Sequence, residues 1–247
     1  RRIAVAFEES PDQSVRNDIH PDYKANRPPA REDLRRQFGL CRDLAEAAGL
    51  ATFSSPRFEA DDILATLAES MRRHGVRHTV VTGDKDLAQL IRTGDEWWDF
   101  ARDVRLDVRG IVERFGVAPH QIPDLLALAG DRIDNIPGVP GIGVATAARL
   151  LRRWDDLDRL FENIEGVRAM RFRGAARVAA LLVEHEPTVR LARRLTGTLR
   201  ADGLPEVPEA LDRRPVDPGA LAGLLDHLAL GSSIRRRWEQ GFGATPA

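Results

Sequence analysis

The sequence predicts an α/β protein, with a mainly parallel sheet flanked by helices and a helical C-terminal half. Three observations carry this expectation. The apolar runs IAVAF (Ile3 to Phe7) and HTVVT (His78 to Thr82) read as strands and are separated by amphipathic helical patterns. Strands alternating with helices imply parallel pairing with helices on both faces. After about Gly116 helical patterns follow one another without a convincing strand.

In chain order, Ile3 to Phe7 is expected to be a short buried strand. The stretch SPDQSVRNDIHPDYKANRPPA is polar and Pro-containing, with little apolar periodicity. A helix is predicted from about Glu32 to Ala48, placing Leu34, Phe38, Cys41, Leu44 and Ala48 on one face. Another starts near Glu59 and stops before Gly75, a suitable C-terminal cap. His78 to Thr82 is a second buried strand, followed by GDKD and a short helix through Leu87, Leu90 and Ile91. Glu96 to Phe100 and Val104 to Leu106 read as further strands. Helices are then expected over 121–129, 144–154, 156–163, 173–184, 187–195, 218–229 and 232–240, with 196–217 as an extended connection. The first 115 residues are thus expected to form an α/β core, and 116–247 a helical part.

Of the 247 residues, 43% are hydrophobic and 30% charged, enough for an ordinary soluble core. No run approaches the roughly 20 apolar residues of a membrane helix. Cys41 is the only cysteine, which excludes an internal disulfide framework and a cysteine-rich zinc site, and a reducing, cytoplasmic setting is the simplest reading. The chain opens at Arg1 and runs straight into IAVAF with no visible signal peptide, so further sequence is expected upstream. The net charge of −1 hides a segregation of signs. Carboxylates gather at Glu59, Asp61, Asp62, Asp84, Asp86, Asp131 and Asp134. Arginines gather at 35–36, 152–153, 168–177, 190–194 and 235–237. Such a pattern suits a protein that holds cations at one spot and a polyanion around it, although arginines also decorate solvated helix faces.

Each acidic group has an ordinary explanation when taken alone. Glu59, Asp61 and Asp62 open a helix, where carboxylates complement the dipole. Asp84 and Asp86 follow a strand and open the next helix, so one of them can cap it. Asp131 and Asp134, in GDRIDN, suit a turn. Together they suggest more. Ligand sites in open parallel sheets lie beyond the carboxyl ends of strands, and both Glu8 and the Asp84/Asp86 pair follow such ends. Many converging carboxylates repel one another unless cations stand between them, and hard oxygen donors suit magnesium or manganese. Two such ions roughly 3.5–4 Å apart are a recurrent arrangement for phosphodiester hydrolysis. The six histidines are scattered, and no nucleophile system is apparent.

Four motifs occur in order: YKANRPP, EADDILATLA, VTGDKDLAQLI and LALAGDRIDNIPGVPGIGVATAARLL. On these the chain resembles the 5′-to-3′ exonuclease domain of bacterial DNA polymerase I and its stand-alone bacterial and phage flap-endonuclease relatives. The resemblance implies a PIN-like α/β nuclease core, with a clamp segment at about 9–31, and a C-terminal helical subdomain containing a helix–three-turn–helix DNA-binding element. It implies metal ligation by Glu8, Glu59, Asp61, Asp62, Asp84, Asp86, Asp131 and Asp134, with Asp62 the one that merely capping would explain. Gly138, Val139, Gly141, Gly143 and Arg149 would meet duplex backbone, and hairpin carbonyls would hold a potassium ion. Arg16, Tyr23, Lys24 and Arg27 fall where a basic clamp on the 5′ single strand is expected, with Tyr23 stacking on a base, Lys24 and Arg27 on phosphates, and Arg16 and Lys24 near the reacting group. Lys85 has two open roles: pairing with a carboxylate, or approaching the scissile phosphate. The implied protein is a monomeric, nucleoid-associated bacterial enzyme of the cytoplasm that acts on branched or nicked DNA.

The sequence departs from the family pattern in three places. The family's first strand, ending in a metal-binding Asp, has no counterpart here. Phe7-Glu8 stands where Phe-Asp is usual, and Val144-Ala145 follows the hairpin where a Lys is usual, with Arg149, Arg152 or Arg153 as possible substitutes. These departures motivate an alternative, a DNA-junction binding protein of nuclease ancestry with reduced catalysis. An RNA-directed PIN-type nuclease is a further, weaker one. The pattern LAGLLDHLALGSSIRRRWEQ reads as the end of the family's domain, so a stand-alone nuclease is expected rather than a polymerase fragment.

Overall fold

A computed structural model describes residues 2–9 and 13–242. Residues 10–12 of the expected clamp segment lie outside them. The elements in chain order are β1 (Ala4–Glu8), α1 (Val15–Ile19), α2 (Glu32–Ala47), β2 (Ala51–Ser55), α3 (Ala60–Arg72) and β3 (Thr79–Val81). A 3-10 turn (Asp86–Leu90) leads to β4 (Glu96–Asp99), β5 (Val104–Leu106) and α4 (Val108–Phe115). The helical run comprises α5 (Ile122–Ala129), α6 (Val144–Trp154), α7 (Leu157–Glu162), α8 (Ile164–Arg168), α9 (Ala175–Thr196), α10 (Pro218–His227) and α11 (Ser232–Phe242). The α/β class is as expected, and no helix among the described residues is long and apolar enough to cross a membrane.

The chain forms two compact units, each discontinuous in sequence. The first comprises Arg1–Gln13, Pro28–Val76 and Arg200–Ala247. Its strands β1 and β2 pair in parallel, with Ala4 opposite Ala51 and Glu8 opposite Ser55. Ile63, Leu67 and Met71 of α3 pack with Ala51, Ala201 and Leu211. A second cluster joins Leu44 and Ala47 of α2 to Leu221 and Leu225 of α10. Only the C-terminal half of α2 is covered in this way. Of the residues placed on one face of this helix, Phe38 is 53% exposed and Leu34 41%.

The second unit comprises Ser14–Arg27 and Arg77–Leu199. Here β3 and β4 are parallel and β4 and β5 antiparallel. The strand over 79–81 is not buried as expected, because it pairs on one side only and leaves Val81 56% exposed. The core is helical: Leu125, Leu126 and Leu128 of α5, Leu150 and Leu151 of α6, and Val178, Leu182, Val189 and Leu195 of α9. The two helices expected over 173–184 and 187–195 are one, with Pro187 inside. Proline there removes one backbone hydrogen bond, yet the buried side chains on both sides of it keep the helix continuous.

Candidate functional site

The second unit brings together most of the residues singled out in its sequence. Asp84 follows β3 through the bend Thr82-Gly83, and its backbone nitrogen donates to Thr82 Oγ1 at 3.0 Å. Its Oδ1 accepts from the Asp86 nitrogen at 2.9 Å, and its carbonyl accepts from Trp97 Nε1 at 2.9 Å. These bonds fix the start of the 3-10 turn and aim Lys85 at the next loop. Lys85 Nζ donates to Asp131 Oδ2 at 2.8 Å and lies 3.8 Å from Asp86 Oδ1.

The electrostatics follow from this crowding. Burial, then repulsion from Asp84, Asp131 and Asp134 with partial relief from Lys85, pushes the Asp86 carboxyl up to about 7. Burial alone would raise Asp131 too, but the Lys85 hydrogen bond, the Ile133 N–H and the Lys85 charge hold it below its ordinary value. Burial opposes the Lys85 ammonium, yet the Asp131 hydrogen bond and the charges of Asp86, Asp131 and Asp84 outweigh it and raise its pKa. One cation thus stands among more carboxylates than it can neutralise.

Asp131 and Asp134 sit on a loop that closes on itself: Asp131 N donates to Ile136 O and Ile136 N to Asp131 O, at 3.0 and 2.7 Å. The segment 22–27 is tied to this loop by Lys24 N to Asp134 O (3.0 Å), Asn26 Nδ2 to Arg132 O (2.7 Å) and Asn135 Nδ2 to Asp22 O (2.7 Å). Arg27 Nη2 pairs with Asp134 Oδ1. Lys24 and Asn135 both adopt positive φ, 56° and 55°, which Asn tolerates better than Lys. The asparagines that brace the two loops were not singled out in the sequence. Their only signal was the turn chemistry of Asn in KANR and IDNI.

Two expected clamp residues are internal. Tyr23 is 3% exposed within the helical core and its hydroxyl lies 3.5 Å from Asp134 Oδ2, so its ring is not available to stack on a base. Arg16 is also 3% exposed and donates to the carbonyls of Leu195 (2.9 Å) and Gly197 (2.8 Å), a bracing role in place of the expected catalytic one. Lys24 Nζ lies 5.0 Å over the Tyr23 ring, and Arg27 is exposed.

The hairpin between α5 and α6 lines a cleft of about 470 Å³, formed by Gly130, Asp131, Arg132, Gly138, Gly141 and Gly143 among others. Gly138 is required by close packing: a Cβ there would stand 2.6 Å from Ala129 O and closer still to Gly130 N. Gly141 has φ +85°, a left-handed turn that favours glycine. Gly143 begins α6 without a side-chain cap. Val139 is buried, its nitrogen donating to Leu128 O at 2.9 Å, so it serves the core and not, as expected, the DNA surface. Arg149 is exposed on α6, its guanidinium 5.1 Å over the Phe172 ring. Arg132, exposed on the cleft, was missed as one more arginine among many.

In the first unit, Glu8, Glu59, Asp61 and Asp62 gather at the start of α3. Glu8 Oε2 accepts from the Ala60 nitrogen at 3.1 Å. Glu59 and Asp62 form a reciprocal capping box, with Asp62 Oδ2 accepting from the Glu59 nitrogen at 3.2 Å. Asp62 is fully buried in that role, the capping alternative that the sequence also offered for it. Asp61 is half-buried beside it.

Among the described residues, no three His, Cys, Asp or Glu side chains are arranged so as to hold a metal ion. The chemistry of the second unit's donor set nevertheless fits a hard divalent cation. It is all oxygen, it carries four carboxylates against the Lys85 ammonium and the Arg27 guanidinium, and the buried Asp86 Oδ1 accepts no hydrogen bond.

Comparison with known proteins agrees with these features. Two family profiles match: "5′-3′ exonuclease, N-terminal resolvase-like domain" over residues 1–116 and "5′-3′ exonuclease, C-terminal SAM fold" over 117–218. DNA polymerase I of Rhizobium leguminosarum is 40% identical over 69% of this chain and 17% of its own length. That of Mycobacterium tuberculosis is 35% identical over 92% and 25%. A 5′-3′ exonuclease of Aquifex aeolicus is 34% identical over 66% of this chain and 56% of its own. The chain therefore spans a quarter or less of these polymerases. Among solved structures, the T5 5′-exonuclease with bound zinc superposes with a TM-score of 0.66 at 20% identity, covering 98% of this chain and 83% of that one. The catalytic core of Rad2 in complex with DNA substrate gives 0.61 at 14% identity, covering 98% and 79%. The structural likenesses establish the fold, and the profiles with the sequence relatives establish that this chain belongs to the 5′-3′ exonuclease family.

Proposed function

We propose that this protein is a divalent-metal-dependent, structure-specific 5′ nuclease that hydrolyses phosphodiesters at 5′ flaps, nicks or primer ends during DNA replication and repair. The observation that carries this reading is Asp131, which belongs both to the crowded carboxylate set with Asp84 and Asp86 and to the glycine-lined cleft. In the second unit Asp84, Asp86, Asp131 and Asp134 are the metal ligands, and in the first Glu8, Glu59 and Asp61. Two magnesium or manganese ions bound there would lower the pKa of the attacking water and offset charge on the scissile phosphate and leaving oxygen. The open turn at Gly141 and the uncapped start of α6 at Gly143 let backbone N–H groups meet phosphate, and hairpin carbonyls hold a potassium ion. Lys24, Arg27 and Arg149 bind phosphates on single and double strand, which selects DNA shape over base sequence. In this reading residues 1–115 are the nuclease core and 116–247 the DNA-binding part of a monomeric, nucleoid-associated bacterial protein.

The test is cleavage of a labelled 5′-flap DNA against magnesium concentration, with Asp84→Ala in parallel. Magnesium-dependent cutting near the branch, lost in the variant, is the expected result. A second reading, a junction-binding protein without catalysis, draws on the Lys85 ammonium lodged against Asp131. Tight flap binding with no cutting in magnesium or manganese would establish it and sink the first.

A further inference from the structure

Lys85 is one of only two lysines in a chain that otherwise uses arginine for its cations. Its ammonium sits 2.8 Å from Asp131 Oδ2 and 3.8 Å from Asp86 Oδ1, so it links the start of the 3-10 turn to the loop that carries Asp131. Lysine suits this place because it is a compact point charge, whereas a guanidinium would demand a planar fork of acceptors. The lysine side chain is also half exposed, so it has a route out of the cluster. Asp131, by contrast, is held in place by its own loop, its Oδ1 accepting the Ile133 N–H at 2.8 Å. The carboxylate is fixed and the cation is movable.

Resting on the nuclease reading above, we infer that Lys85 is a tethered counter-ion of the carboxylate set, and that its ammonium competes with divalent cations for the oxygens of Asp131 and Asp86. In the metal-free protein it limits the repulsion among Asp84, Asp86 and Asp131 and keeps the 3-10 turn docked on the loop at 131–136. It thereby sets the affinity for divalent ions: an ion entering between these oxygens must displace a charge-assisted hydrogen bond. Lys85 is a positioning residue in this account, acting through the carboxylates and not on the phosphate.

The experiment compares the wild-type chain, Lys85→Met and Lys85→Arg. Divalent affinity is measured without DNA, by titrating calcium and manganese calorimetrically, and thermal unfolding is followed in EDTA and in magnesium. Removing the competitor should tighten divalent binding at least tenfold in Lys85→Met, and lower its melting temperature in EDTA more than in magnesium. Lys85→Arg keeps a cation without its compact shape and should tighten divalent binding less than Lys85→Met does. Unchanged or weaker divalent binding in Lys85→Met would overturn the inference, and slower flap cleavage at saturating magnesium alongside it would assign Lys85 to the phosphate. The nuclease reading would survive that result. It fails separately if the wild-type chain neither binds divalent ions nor cuts, and the inference falls with it.

Discussion

Replacing Asp86 by Asn changes one atom type in a site where burial and three neighbouring carboxylates oppose a negative charge. The carboxyl stands at about 7 in the folded protein against an ordinary 3.8. The folded state therefore keeps a proton that the unfolded state has released between these values. Stability contributed by this group is greatest below 3.8, falls as pH rises through the interval, and is constant above about 7. An interval of roughly three units at about 1.4 kcal/mol each gives about 4 kcal/mol as an upper bound on the cost of the ionised form at pH 8. Asn carries no charge and escapes that cost. In EDTA, Asp86→Asn should be more stable than wild type at pH 8, by up to about 16 °C in melting temperature at roughly 2–4 °C per kcal/mol. Its advantage should shrink steadily toward pH 5. Circular dichroism melts of both proteins at half-unit steps from pH 5 to 8.5 measure this difference, in which titrating groups far from Asp86 cancel. A gap that does not change with pH would refute the reasoning, because an uncharged packing difference has no such dependence.

Three further outcomes follow from the geometry. Gly138→Ala should destabilise the protein by about 3 kcal/mol or more in urea denaturation, since its methyl group would collide with the backbone of Ala129 and Gly130. Arg16→Ala strips the buried carbonyls of Leu195 and Gly197 of their donor and should cost about 2–4 kcal/mol in the same assay. Arg149→Ala should weaken duplex DNA binding a few-fold and reduce the slope of log affinity against log salt by about 1, whatever the sequence of the duplex.

Much of the site was legible because its residue types have narrow uses. GDKD after an apolar run, and an acidic loop followed by glycines and prolines, point to a strand end and a turn with few alternatives. Helix α6 appears at the predicted bounds, Val144–Trp154, because its apolar stripe is regular. The roles of individual residues in the polar segment were less legible. Tyr23 and Arg16 lie among charged and turn-forming residues with no periodicity, so nothing local marks them as internal. Their burial depends on α9 and the Asp134 loop, more than a hundred residues away in sequence. Strand β2, Ala51–Ser55, was missed because it is short and carries a weak alternation of apolar and polar residues.

By itself the sequence determined the α/β-then-helical order of elements, the acidic residue set and the glycine hairpin, since these rest on local periodicity and backbone chemistry. Only the tertiary structure decided how the charges are partnered. Asp62 was absorbed into a helix cap, Arg27 was paired with Asp134, and Lys85 was set against Asp131. Whether a carboxylate is a cap, an ion-pair partner or an unsatisfied acceptor depends on which distant group lies within about 4 Å of it and how much water is excluded, and neither quantity is encoded in the neighbouring residues.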